Sequence, residues 1–258
     1  MDERAVLAAY DEQIRRHPGT DGHVEHEDHV IRSFGQGWTG VEWSSLDTAG
    51  ADAVIAAQIA AFGARAWEWK HYDHDQPTDL PARLVAAGLI PEPAETLLVA
   101  EIADLDLTTG PPDGVTLVPV VDQAGIDDLV AVHDAVFGGD HSPVGRVLLE
   151  GLEREPSTLA AVVAMAGPVP VSAARVQFHE GTEFASLWGG GTRPEWRGRG
   201  VFRALVAHRA ALAAARGFRY VQVDATADSR PILRGLGFVE LATTTPFKHP
   251  GTMPVSGG

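Results

Sequence analysis

The sequence predicts an α/β (α+β) protein built from two similar halves, and three observations carry that expectation. Apolar runs of strand-like composition alternate with Ala- and Leu-rich segments of helical spacing along the 258 residues. That length suits two small domains better than one. The stretch LTTGPPD at 107–113 joins two apolar runs with Gly, two prolines and polar residues, a linker signature. The expected domains are therefore 1–106 and 107–258.

Each element follows from its local pattern. In the first half VEWSSL reads as strand, ADAVIAAQIAAF as helix, ARAWEWKHY as strand, DLPARLVAAG as helix and ETLLVAEI as strand. Trp67 and Trp69 alternate with Glu68 and Lys70, which directs at least one indole to a core or inter-domain face. Past the linker, VTLVPV (115–120) is a strand, and 124–137 sets Ile126, Leu129, Val132 and Phe137 on one side of a helix. A second helix is expected near 144–152. LAAVVAMA (159–166), Gly167-Pro168 and VPVSAARVQF (169–178) make a hairpin pattern, and a third strand runs from Glu183 towards Gly191. These three are antiparallel in sequence. An Ala-rich helix over 199–216 ends at Gly217, with Val201, Leu205, Leu212 and Ala215 as its apolar stripe. YVQVDA (220–225) is a buried-strand pattern, a helix around 230–236 stops at Gly237, and FVELATTTPF (238–247) returns as strand. The strand–helix–strand–helix–strand cadence ends both halves, which implies a diverged internal duplication.

Composition narrows the function classes. Hydrophobic residues at 45% and charged residues at 21% supply enough apolar material for a core, so disorder is excluded. The absence of cysteine removes disulfides, thiolate nucleophiles and Cys-ligated metals together. The charged N-terminus and the lack of a long apolar run predict neither signal peptide nor membrane span, hence a cytoplasmic protein without a membrane partner. A net charge of −15 argues against a nucleic-acid partner, which needs a basic face. The charge is unevenly spread. Residues 1–106 hold 7 basic and 20 acidic residues, whereas 107–258 hold 13 and 15, so a local basic patch in the second half can serve a polyanion.

That patch is GGGTRPEWRGRGVFRALVAHR (189–209), a strand entering a Gly/Arg loop that opens a helix. Gly198 and Gly200 let the backbone approach a ligand closely. The helix start adds unsatisfied N–H groups and a positive dipole end, and Arg197, Arg199 and Arg203 add charge. A phosphate or pyrophosphate is the natural guest. The letters fit neither GxxxxGK[ST] nor GxGxxG.

The loop resembles the GCN5-related N-acetyltransferase (GNAT) family, whose motif Q/R-x-x-G-x-G/A binds the acetyl-CoA pyrophosphate. Two registers are open: with Gly198 and Gly200 as the glycines, Glu195 stands at the Gln/Arg position; with Arg197 first, Phe202 replaces the small last residue. The surroundings match more fully, with T-x-P-E-W-R-G-R-G, the amphipathic helix, VQVDA, and ILRGLGF in place of the family's LYxxLGF. The resemblance covers about 114–247, and the cadence of 23–103 suggests a degenerate first copy lacking the loop. It implies a mixed, mostly antiparallel sheet flanked by helices in two tandem halves. It also implies acetyl-CoA as cosubstrate, contacted by Gly191, Thr192, Arg197, Gly198, Arg199, Gly200, Val201, Phe202 and Arg203.

Direct attack of an amine on a thioester needs a base, an oxyanion donor and an acid for the thiolate. The resemblance puts the usual tyrosine acid at Leu233, which has no proton to give; Tyr220 or solvent would substitute. Glu183 is the carboxylate best placed as base. Asp224 either reaches the cleft or caps the following turn, and Asp228 and Ser229 before Arg230-Pro231 read as helix-capping residues. His133, Asp140 and His141 fall in a region that contacts the acceptor in the family. His208 sits on the apolar stripe as a packed histidine. His23, His26 and His29 lie among acidic residues, where a solvated segment is preferred to a metal site, so no metal is expected. The expected function is acetyl-CoA-dependent N-acetyl transfer to a small amine. The alternatives are a non-catalytic CoA-binding sensor or scaffold and another phosphate-ligand enzyme using the same loop.

Overall fold

The protein is described by a computed structural model covering residues 1–19 and 22–251. Two compact units divide it. The N-terminal unit comprises Asp2–Leu97, Asp224–Asp228 and the segment from Glu240 on; the C-terminal unit comprises Met1, Leu98–Val223 and Ser229–Val239. The units are not the stretches 1–106 and 107–258, since each takes a segment from the other stretch. Residues 107–113 form neither helix nor strand.

The N-terminal unit begins with α1 (Glu3–Tyr10), capped by Asp2 through its bond from the Ala5 N–H, and continues in one π-helical turn over Asp11–Arg15. Its strands are β1 (His23–His26), β2 (Val30–Phe34), β3 (Thr39–Ser44), β4 (Trp67–Tyr72), the short β5 (Ile90–Pro91) and the start of β6 (Glu95–Glu101). Helices α2 (Ala51–Phe62) and α3 (Leu80–Ala86) fall where the pattern places them. The sheet order is β1, β2, β3, β4, then β12 (Val239–His249) from the far end of the chain. Strand β12 runs antiparallel to β4 from Thr244↔Tyr72 to His249↔Trp67. That register puts Phe247 opposite Trp69, and both are buried with Trp67, Val41, Ile55, Leu80 and Leu84. Trp67 and Trp69, two residues apart, thus share one face of β4 in the core.

The C-terminal unit carries β7 (Val115–Pro119), α4 (Gln123–Phe137), α5 (Ser142–Arg154), β8 (Leu159–Ala166), β9 (Val169–Phe178), β10 (Phe184–Thr192), α6 (Val201–Ala215), β11 (Tyr220–Ala225) and α7 (Arg230–Gly235). Its sheet order is β7, β8, β9, β10, β11, with β6 beside β11. The pairs β7–β8, β8–β9 and β9–β10 are antiparallel and β10–β11 is parallel. The expected mixed, mostly antiparallel sheet flanked by helices is therefore present. Strand β8 reads as an unbroken apolar run because both its faces are covered. Ala161 and Val163 meet Ile126, Leu129 and Val132 of α4, while Val162 and Ala164 meet Leu205 and Val201 of α6.

The N-terminal unit buries charge, in pairs. Arg15 donates to both carboxylate oxygens of Asp75 at 2.8 and 2.9 Å and to Asp11 at 2.9 Å, and lies 4.0 Å over the Tyr72 ring. Lys70 Nζ meets Asp224 Oδ2 at 2.5 Å, beside the Tyr10–Tyr72 hydroxyl pair at 3.0 Å. Asp224, weighed from the sequence for the cleft or a turn cap, is the ion-pair partner of Lys70. Around this pair burial pushes the Glu42 and Glu95 carboxyls up, each to about 7, against the pull of Lys70.

Removing one member of a buried pair strands the other charge. Arg15 and Asp75 side chains are 2% and 4% exposed, so Asp75→Ala should destabilise the protein by about 3–5 kcal/mol in urea unfolding. A raised folded-state carboxyl favours folding below its unfolded value and loses that contribution as pH climbs to about 7. Glu42→Gln should accordingly gain stability relative to the parent as pH rises from about 4.5 to 7.

Candidate functional site

The candidate site is built where β10 stops behaving as a regular strand. It pairs in parallel with β11 only at Phe184↔Tyr220, Ala185↔Val221 and Ser186↔Gln222. On its other edge the register to β9 shifts between Trp188 and Gly191, so Gly189 and Gly190 have no partner residue in either ladder. Three consecutive glycines permit this bulge. Gly189 has φ +59°, and a Cβ there would lie 2.9 Å from the His133 ring; at Gly191 it would lie 2.9 Å from Phe137.

Side chains take up the carbonyls of this segment. Arg209 of α6 donates to the carbonyls of Leu205 (3.0 Å), Arg175 (3.1 Å) and Trp188 (3.4 Å). His133 Nε2 lies 2.9 Å from the Gly189 carbonyl, to which it must donate, and Ser172 Oγ donates to the Gly191 carbonyl at 2.6 Å. Burial, with the like charge of Arg175, pushes the Arg209 guanidinium down to about 9, which still leaves it cationic at neutral pH. Burial pushes His133 down to about 4 despite its carbonyl partner. At the last parallel pair, Ser186 Oγ bonds His179 Nε2 at 2.6 Å and accepts from the Gln222 amide, and burial pushes His179 to about 4 as well.

The strand then leads through a 3-10 turn (Pro194–Trp196) to α6. Gly198 and Gly200 have φ of +74° and +88°, left-handed values that favour glycine, and open space faces both Cα atoms. Gly200 is the N-cap of α6 and offers no side chain to the first turn, whose N–H groups stay available. Arg197 donates from Nε to the Thr192 carbonyl at 3.1 Å, Arg199 stacks 4.6 Å over Trp196, and Arg203 is exposed. Val201 points into the core, and the half-buried Phe202 lies where a Cβ on Gly190 would come within 3.1 Å. This contact explains why a large ring follows the loop: it fills room left by a glycine. Gly191 and Thr192 are buried, with the Thr192 hydroxyl 2.7 Å from Ser172.

The remaining expected residues scatter. Glu183 lies immediately before β10, with its half-exposed carboxylate 3.4 Å from Arg219, separated from Gly191 by about 26 Å of strand. Tyr220 is buried against Phe184, and Leu233 is a core residue. Ser229 is the N-cap of α7 without a side-chain cap bond, and Asp228 is exposed. His208 is partly buried and burial lowers its value. His23 and His26 lie on β1, where His23 stacks on Phe34, and His29 precedes β2; among the described residues no His/Asp/Glu group has metal-holding geometry. The sequence reading missed Arg209, Ser172 and His179; the glycine triplet inside a strand was the available signal for the bulge they serve.

The unit thus combines a strand bulge, a mixed sheet and a helix start whose N–H groups are uncapped by any side chain. Residues 128–238 match the model of the acetyltransferase (GNAT) family, a GNAT domain match over that stretch that supports an acyltransferase enzyme. No curated protein sequence matches the chain. Among solved structures it is similar to a GCN5-related N-acetyltransferase from Kribbella flavida, at 21% identity and TM-score 0.71 over 97% of this chain and 96% of that one. A functionally unknown conserved protein from Staphylococcus epidermidis ATCC 12228 aligns at 14% identity and TM-score 0.69, covering 95% and 100%. A tandem GNAT protein from the clavulanic acid biosynthesis pathway aligns at 14% identity and TM-score 0.60, covering 87% and 79%. At these identities the likeness is one of fold. Among the described residues no helix is long and apolar enough to cross a membrane.

A histidine whose folded value is depressed costs stability as acid is added, because the unfolded chain binds the proton first. The stability advantage of the protein over His133→Gln should therefore be full above about pH 6.5 and shrink as pH falls towards 4, measured by urea unfolding at each pH.

Proposed function

We propose that the protein transfers an acetyl group from acetyl-CoA to a small amine by direct attack. The observation that carries this reading is the open, left-handed Gly198/Gly200 turn at the start of α6, rimmed by Arg197, Arg199 and Arg203. Its free N–H groups and positive helix end suit a pyrophosphate. Gly191, Thr192, Val201 and Phe202 complete the proposed cofactor contacts, the first two through the end of β10. The gap that opens between β10 and β11 beyond Ser186↔Gln222 takes the pantetheine arm, and the unpaired bulge at Gly189 and Gly190 supplies N–H donors to the thioester oxygen. The GNAT family uses acetyl-CoA, which agrees with that assignment. Residues 1–106 and 107–258 are proposed as the two duplicated domains, the first without the loop and without cofactor. The acidic first half favours a cationic acceptor, nucleic acid and membrane have no part in the reaction, and the reading places the protein in the cytoplasm.

Calorimetric titration tests the cofactor. One acetyl-CoA site per chain is expected, at micromolar-class affinity, about −8 kcal/mol. Gly200→Glu, which puts bulk and negative charge at the pyrophosphate, should weaken it by roughly 100-fold or more, about 2.7 kcal/mol, in a protein whose circular dichroism is unchanged. Unaltered affinity would place the phosphates elsewhere, and two sites would remove the degenerate-half assignment. Glu183, the base expected from the sequence, stands at the far end of β10 from the bulge and pairs with Arg219, so the proposal gives it no proton transfer; Glu183→Gln should leave kcat close to the parent value.

A further inference from the structure

Two histidines stand beside the β10 bulge, and their hydrogen bonds give them opposite capacities. His133 spends Nε2 as a donor on the Gly189 carbonyl and is held neutral by burial. His141 is 5.7 Å from the His133 ring, centroid to centroid, and 5.9 Å from the exposed ring of Phe137. Its Nδ1 lies 2.9 Å from Asp134 Oδ1, and the same oxygen accepts from the His141 backbone N–H at 2.8 Å. A carboxylate on Nδ1 fixes the tautomer that carries the proton there, which leaves Nε2 with a lone pair. Among the described residues Nε2 of His141 has no hydrogen-bond partner, and the side chain keeps 23% of its surface exposed. The chain holds this arrangement from both ends: Asp134 lies in the last turn of α4, and His141 is the N-cap residue of α5.

We propose that the Asp134–His141 pair is the proton-transfer dyad of the acetyl transfer, with His141 Nε2 as the catalytic atom and Asp134 as its positioning residue. This rests on the acetyl-CoA reading, which sets the thioester at the bulge. The neutral acceptor amine attacks the thioester carbonyl carbon, and its nitrogen gives one proton to His141 Nε2. The C–S bond breaks, and the imidazolium returns that proton to the departing CoA thiolate, so amide and thiol form with no net proton change. The dyad also supplies the acid that Leu233 cannot. Charged and titratable groups around it are Asp134, Asp140 and His133, with Arg146 in α5 and Arg175 on β9.

The test follows CoA thiol release with a thiol reagent, free of background because the chain has no cysteine. The acceptors are putrescine, tyramine, glucosamine and lysine, between about pH 5 and 9 across the histidine range. His141→Gln is expected to lower kcat by about 100-fold or more and to remove the acid limb of the kcat/KM profile, while calorimetric acetyl-CoA affinity stays as in the parent. Asp134→Asn should lower kcat by about tenfold and shift that limb, and it decides the matter if His141→Gln does not fold. Glu183→Gln should retain the limb. Parent kcat and limb in folded His141→Gln or Asp134→Asn, or loss of the limb in Glu183→Gln alone, would overturn the dyad. A parent protein that binds acetyl-CoA and releases no thiol with any amine would also count against it. Failure of the parent to bind acetyl-CoA would instead overturn the cofactor reading, and the dyad with it.

Discussion

The C-terminal unit depends on how β10 keeps its carbonyls satisfied after it leaves both neighbours. A bulge of three glycines frees backbone groups that water would otherwise have to reach, and an unpaired buried carbonyl costs about 1–3 kcal/mol. Three side chains from three elements meet that demand: Arg209 from α6, His133 from α4 and Ser172 from β9. Burying a guanidinium is itself expensive, and burial together with the like charge of Arg175 lowers the Arg209 value. The arrangement persists because Arg209 bridges three carbonyls at once, tying α6 to β9 and β10. The positions of α4 and α6 against the sheet, and hence of the loop and of His141, follow from these bonds.

A second constraint is topological. Strand β12 comes from the end of the described chain yet pairs with β4 of the N-terminal unit, and β6, at the end of the first half, lies beside β11. Each unit therefore needs chain from both halves of the sequence. Phe247 in the Trp67–Trp69 core and Asp224 on Lys70 are the contacts that make this dependence energetic rather than formal. Neither 1–106 nor 107–258 contains a complete set of its own core residues.

Much of the fold was legible because its signals are local. The helix over 51–62 and the strands at 159–166 and 169–178 coincide with their sequence patterns, since periodicity, Gly167 and the capping residues act over a few positions. The exchange of final strands was not legible: a run such as FVELATTTPF reports its β-propensity and nothing about which strand it joins. Helix α1 and strands β1 and β2 went unassigned because segments of eight, four and five residues are too short to show a clear period. At the site, the Gly/Arg loop was readable from letters whose backbone demands are specific. The carbonyl-capping roles of Arg209, His133 and Ser172 were not, because they are set by a bulge whose partners lie 19 to 56 residues away, from Ser172 and Gly191 to His133 and Gly189.

The two units apply the physics of a helix start with opposite sign. In the C-terminal unit α6 opens after a glycine with no side-chain cap, and arginines surround its free N–H groups. In the N-terminal unit the corresponding helix, α2, opens at Gly50, whose N–H is already taken by Asp47 Oδ1 at 2.6 Å, and Asp52 stands in its first turn. A carboxylate of the chain itself occupies the place where a phosphate would bind, and the second acid repels one further. The gap beyond the β3–β4 pair is treated likewise: parallel pairing covers only Gly40↔Glu68 and Val41↔Trp69, and the positions that follow contribute Glu42 and the Lys70–Asp224 ion pair. Where the C-terminal unit leaves glycine and open N–H groups, the N-terminal unit places charged side chains that satisfy one another. The same cadence of elements thus yields an anion-receptive surface once and a self-neutralised one once, and the difference lies in a handful of side chains rather than in the fold.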